Sequence, residues 1–273
     1  MRDFPQELVD KVIDELFALV GRNNSYTGDL RRTSRNFRPV HGISDYSLVS
    51  RAWVGPTQKH HFSTLHLDCP VISKKWLARI PPDPTGVSRH VRKLVLKGFH
   101  LENWEDFGEH LCAFTLVEFL TVSYCSHLLH HPSILEWFLT MGPSLAELRI
   151  FGESIPPHVM TPLLAALPLL QNVEIRDCDS TDDMDCADDT NPPTPPRIPF
   201  FEGANRFTLS GWNYTADSLS WIPSSARFGH LVVDVIFCRD HPDLVNQWFA
   251  SSSTTLTYLA IRGDTPYGTS PPK

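Results

Sequence analysis

Long apolar runs are missing from this chain: no stretch reaches the roughly 18 consecutive apolar residues of a membrane-crossing helix. The N-terminus has no basic region leading into an unbroken apolar core, so no secretory signal is expected. Cysteine is sparse. Six in 273 residues, without framework spacing, exclude a disulfide scaffold, and Cys112, Cys125, Cys178 and Cys238 lie in apolar surroundings that suit reduced core thiols. The expectation is a reducing compartment, cytoplasmic or nuclear. The chain also lacks a Walker-type Gly-Lys-Ser loop, a dinucleotide glycine fingerprint, a Gly-x-Ser-x-Gly elbow and a zincin His-Glu helix. Nothing therefore argues for an enzyme, and no catalytic residue or cofactor is implied.

Basic charge is not in excess either. The net charge of −7 gives no general case for nucleic-acid binding. Histidine is plentiful, with 13 residues, but its clusters lack the paired spacing of a zinc site. His60, His61 and His66 form one group, and Cys125, His127, His130 and His131 another. Adjacent histidines point in different directions, so both groups are read as polar turn positions and no metal is expected.

What the chain has is a repeated phrase, apolar-x-x-apolar-x-apolar. It reads Phe62-x-x-Leu65-x-Leu67, Val91-x-x-Leu94-x-Leu96, Val117-x-x-Leu120-x-Val122 and Leu145-x-x-Leu148-x-Ile150. It continues as Leu170-x-x-Val173-x-Ile175, Ala204-x-x-Phe207-x-Leu209, Phe228-x-x-Leu231-x-Val233 and Leu256-x-x-Leu259-x-Ile261. Successive starts lie 29, 26, 28, 25, 34, 24 and 28 residues apart by their numbering. The alternation at the end of each phrase suits a strand with one buried face. Helical patterns lie between phrases, over Ile134 to Leu139, Val159 to Leu167 and Asp243 to Phe249. The period and the phrase resemble leucine-rich repeats, with Cys125 and Cys178 standing where such repeats often carry Asn or Cys. That resemblance implies an α/β solenoid over 62–273 with a parallel sheet, stable only because neighbouring repeats stack. A doubly wound α/β domain is the rival architecture. No polar capping repeat is visible at the C-terminal end.

One interval is long for a local reason. Residues 177 to 189 carry Asp177, Asp179, Asp182, Asp183, Asp185, Asp188 and Asp189, followed by a Pro-rich run. Like charges repel and proline cannot continue a ladder, so about 178–199 reads as a loop. A calcium-loop reading fails at its sixth position, Asp182 rather than Gly, and its twelfth, Asp188 rather than Glu.

Ahead of the repeats lie two apolar helical patterns. Asp3 can cap a first turn that Pro5 suits, and Leu8, Val9, Val12, Ile13, Leu16, Phe17 and Val20 then form one stripe. Leu48, Val49, Ala52 and Trp53 form a second, which Gly55-Pro56 is expected to close. Between them, about 21–44 reads as a basic insertion with Arg22, Arg31, Arg32, Arg35 and Arg38 against Asp29. Such stripes alone fit any helical hairpin capping a larger domain. Their spelling, Phe4-Pro5-x-Glu7-Leu8-Val9 followed by Ser47-Leu48-Val49-Ser50-Arg51-x-Trp53, resembles the F-box-like domains abundant in mushroom-forming fungi.

The resemblance implies a small all-α domain over 1–61 that docks on a Skp-type adaptor of SCF ubiquitin ligases. Carried over by position, Phe4, Pro5, Leu8, Val9, Ile13, Leu48, Val49, Arg51 and Trp53 are the adaptor-binding set. The repeats would then select a target protein, with Arg149, Glu174 and Thr208, between the apolar strand positions, as candidate contacts. The alternative is a leucine-rich-repeat interaction scaffold not engaged with a ligase. No membrane partner is expected.

Overall fold

Alternating residues in a strand point to opposite faces, and the eight phrases put this rule to use. In the computed structural model, which describes residues 5–23, 51–67, 87–98, 110–125, 129, 133–152, 157–176, 198–203, 205–211 and 219–263, each phrase ends in a strand. The strands are β1 (Thr64–Leu67), β2 (Lys93–Lys97), β3 (Phe119–Ser123), β4 (Glu147–Phe151), β5 (Asn172–Arg176), β6 (Arg206–Ser210), β7 (His230–Asp234) and β8 (Tyr258–Arg262). They form one parallel sheet in strictly consecutive order, with β1 and β8 at its edges. A doubly wound domain reverses its strand order at a switch point. This sheet never reverses, so that rival is not the fold.

Register aligns the phrases into two apolar columns. Leu65, Leu94, Leu120, Leu148, Val173, Phe207, Leu231 and Leu259 make one; Leu67, Leu96, Val122, Ile150, Ile175, Leu209, Val233 and Ile261 make the other. All are buried except the pair on β8. A backbone hand-off repeats with them. The carbonyl just before a strand accepts two N–H groups of the next rung: Ser63 from Arg92 and Lys93, Arg92 from Glu118 and Phe119, Glu118 from Ala146 and Glu147, Ala146 from Gln171 and Asn172. These bonds satisfy backbone groups where the chain enters the sheet and lock each rung to its neighbour.

Helices complete the core. In chain order they are α1 (Gln6–Asn23), α2 (Arg51–His61), α3 (Ile134–Met141), α4 (Pro157–Ala165), α5 (Val235–Asp240) and α6 (Pro242–Ser251). Helix α3 buries Ile134, Trp137, Phe138 and Met141, the one-face spacing of an amphipathic helix. Around β6 and β7 the core turns aromatic. Phe207 and Phe228 stack at 5.2 Å, Phe237 and Trp248 at 5.8 Å, and Phe228 meets Trp248 edge-on at 5.9 Å.

Two boundaries differ from the sequence reading. Helix α1 runs to Asn23, past the expected start of the basic insertion, and α2 runs through Pro56 to His61. A proline costs a helix one N–H bond and some crowding. Here the turn is held by the buried Thr57, whose hydroxyl donates to the Trp53 carbonyl at 2.5 Å. His60 adds a 2.5 Å bond from Nε2 to Asp14 Oδ1, joining α2 to α1. The rest of the insertion, and all of the acidic loop but Ile198 and Pro199, lie outside the described residues.

Candidate interaction surfaces

Two surfaces stand out once the core is subtracted. The first belongs to α1. Val9 and Ile13 are 2% and 1% exposed, whereas Leu8 and Val12, one position back along the same helix, are 45% and 44% exposed. A 100° step per residue puts the two pairs on adjoining faces: one closes the helical pair and the other stands in solvent. Pro5 is exposed beside Leu8. Of the remaining expected adaptor contacts, Trp53 is half-buried on α2 and Arg51 begins that helix; Phe4, Leu48 and Val49 lie outside the described residues. Val12, absent from the expected set, belongs with Leu8. Its signal was the four-residue step between them.

An open cleft of about 300 Å³ lies along another face of α1, roughly opposite Leu8 and Val12, and is lined by Gln6, Asp10, Asp14, Gly55, Pro56, Lys59, Arg89 and His90. Burial, with Arg89, Arg92 and Lys59 nearby, holds the His90 imidazole below its ordinary range. The cleft mixes both signs, with Lys59 Nζ 3.8 Å from the Asp14 carboxylate.

The second surface is the open face of the sheet, formed by the side chains between the apolar columns. Register sets Arg149, Glu174 and Thr208 side by side on β4, β5 and β6. All three sequence candidates therefore meet, around a shallow depression of about 60 Å³ that Glu147, Asn172 and Arg206 help to line. Arg149 Nε lies 2.5 Å from Glu147 Oε1 and 3.2 Å from Glu174 Oε2, and Glu174 also pairs with Arg176. Thr208 is buried, so only its neighbours are open to a partner. Above this row Arg176 caps the Phe151 ring, its guanidinium carbon 5.8 Å from the centroid.

Sequence reading missed the upper rim of this face. Tyr124, immediately after β3, has a φ of 51° and is 56% exposed. Its equivalents after β2 and β4 are Gly98 and Gly152, with φ of 67° and 62°. All three donate their N–H to the last strand residue of the next rung, at 3.0, 2.8 and 2.9 Å in chain order. The repeat thus requires a left-handed residue there, and its sequence signal was the glycine recurring one residue past the strand.

Elsewhere, Asp234 ends β7 and caps α5, accepting from the Ile236 N–H at 2.8 Å. Burial, with Asp234 close by, raises the Cys238 thiol. Among the described residues no group of three His, Cys, Asp or Glu side chains is placed to hold a metal ion, and no helix is long and apolar enough to cross a membrane. No protein-family model, curated protein or solved structure matches the chain.

Proposed function

We propose that the chain is the substrate-recognition subunit of an SCF-type ubiquitin ligase, with the helical pair α1–α2 as an F-box-like docking module and the sheet as the face of a leucine-rich-repeat solenoid. The observation that carries the reading is the division of labour on α1. A helix already packed through Val9 and Ile13 still exposes Leu8 and Val12 next to Pro5, and single exposed apolar residues become informative when they adjoin on one helix face. Such a face suits a Skp-type adaptor better than solvent. The strands supply the other half, a largely polar face, open mainly over β1 to β5, on which a target protein can lie. Catalysis in this reading is proximity: the receptor raises the concentration of its target beside an enzyme held elsewhere in the complex.

The test is co-purification with the Skp-type adaptor from the same cell. Wild type should bind. Leu8→Asp combined with Val12→Asp should abolish binding while circular dichroism and the melting temperature stay unchanged. If wild type shows no binding, the ligase reading falls and an interaction scaffold takes its place.

A further inference from the structure

The last rung leaves two kinds of surface unsatisfied at once. On its inner face Leu259 and Ile261 continue the apolar columns but stand about half exposed. On its edge the backbone ladder stops, since among the described residues β8 has only β7 as a neighbour. The Tyr258 N–H points to β7, donating to the Gly229 carbonyl at 3.1 Å. Successive residues of a strand turn their N–H and C=O to opposite sides, so Leu259 and Ile261 present theirs to the free edge. Nothing blunts that edge: Tyr258–Arg262 holds no proline and no inward-pointing charge.

Only another strand answers both openings, and the two ends of the array decide which strand. At β1 the column residues Leu65 and Leu67 are each 2% exposed, so that end has no apolar surface to offer. A head-to-tail contact would join an uncovered end to a covered one. Two uncovered ends meet about a two-fold axis, which makes the contact isologous and the strands antiparallel.

An axis normal to the sheet keeps both inner faces on one side, and β8 is then its own complement in one register. With Ala260 on the axis, Leu259 stands opposite the partner's Ile261, and Ile261 opposite the partner's Leu259. These are the residues with free N–H and C=O, so both pairs are hydrogen-bonded, about four bonds in all. On the other face Tyr258 meets the partner's Arg262, ring against guanidinium, and no like charges are opposed. The neighbouring registers are poorer. Centring on Leu259 requires the Thr257 N–H, which already donates to Gly229 at 2.8 Å. Centring on Ile261 sets Leu259 against Gly263 and forfeits the apolar contact.

We infer that two copies of this chain pair through β8 in an antiparallel, two-fold-symmetric dimer centred on Ala260, continuing one eight-stranded sheet into another. Five strand residues a side are far fewer than the roughly 20–30 of a standard interface, so the dimer dissociates at concentrations on the order of 10–100 μM. The pairing rests on neither the adaptor nor the target reading.

Sedimentation velocity of the full chain over about 2–500 μM should show a monomer–dimer equilibrium. Leu259→Lys with Ile261→Lys should weaken it at least about tenfold without lowering the melting temperature. Oxidative crosslinking reads the register. Ala260→Cys places two thiols at a non-hydrogen-bonded antiparallel site with Cα atoms about 4.5 Å apart, within disulfide range, so a covalent dimer should form. Arg262→Cys sits two residues from the axis in each copy, about 14 Å from its mate. It should crosslink no more than wild type, which controls for the native cysteines. The mass of one chain at every concentration would mean that the edge stays open or is filled from within the chain, and would overturn the inference. So would masses growing beyond two chains, a dimer indifferent to the two lysines, or Arg262→Cys crosslinking as readily as Ala260→Cys.

Discussion

At the residue scale, the question is which apolar side chains hold the fold and which are left for a partner. Val9 and Ile13 are interior, and Ile13→Ala should destabilise the protein by about 2–4 kcal/mol, through lost burial and the cavity left behind. Leu8→Asp, at a position nearly half exposed, should move stability by no more than about 0.5 kcal/mol. Urea unfolding followed by circular dichroism measures both; equal costs would mean that Leu8 is also structural. His90 supplies a pH signature. Its burial and the cations Arg89, Arg92 and Lys59 lower its affinity for a proton in the folded state, so the unfolded chain binds that proton more readily. The stability it contributes is complete above the unfolded imidazole range of about 6.5 and is lost as pH falls through the folded value. His90→Gln should flatten the acid side of the curve of melting temperature against pH. A difference between the two proteins that grows towards alkaline pH would contradict this assignment.

At the element scale, each strand was legible because Leu-x-Leu leaves only one way to bury both leucines. Helix α3 was legible for the analogous reason, its apolar residues recurring at Ile134, Trp137, Phe138 and Met141. Helix α5 was not legible. The run His230-Leu-Val-Val-Asp-Val-Ile-Phe reads as one extended apolar stretch, and only the Asp234 side chain, bonded to the Ile236 N–H, converts its second half to helix. The persistence of α2 through Pro56 was hidden too, because it depends on tertiary contacts with α1 that propensity cannot register. The turn after β4 gives a prediction of its own. Gly152→Ala forces a side chain into a backbone with φ of 62° and into the Tyr124 ring, and should cost about 1–3 kcal/mol. Adding Tyr124→Gly to Gly152→Ala should recover part of that loss in a double-mutant cycle. Purely additive costs would show that the ring gives way freely.

For the whole molecule, stability comes from stacked rungs, and the last rung is unlike the others. Leu259 and Ile261 continue the two apolar columns in register, yet they are 44% and 53% exposed where their counterparts on β1 to β7 are buried. An uncovered apolar edge strand invites association. Leu259→Lys with Ile261→Lys should therefore leave the melting temperature nearly unchanged while reducing concentration-dependent association, read by size-exclusion chromatography with light scattering. The same change at Leu231 should unfold the protein. The sequence by itself determined the eight rungs, their order and their inward residues, because period and alternation are properties of the chain taken one phrase at a time. It also supplied Arg149, Glu174 and Thr208 as candidates, since parity alone puts them on the open face. Only the tertiary structure decided that these three are neighbours, that Tyr124 rests on Gly152, and that Leu8 faces out where Val9 faces in. Each of those depends on the lateral register of segments far apart in sequence, or on the rotation of one helix against another, and no pattern within a single segment encodes either.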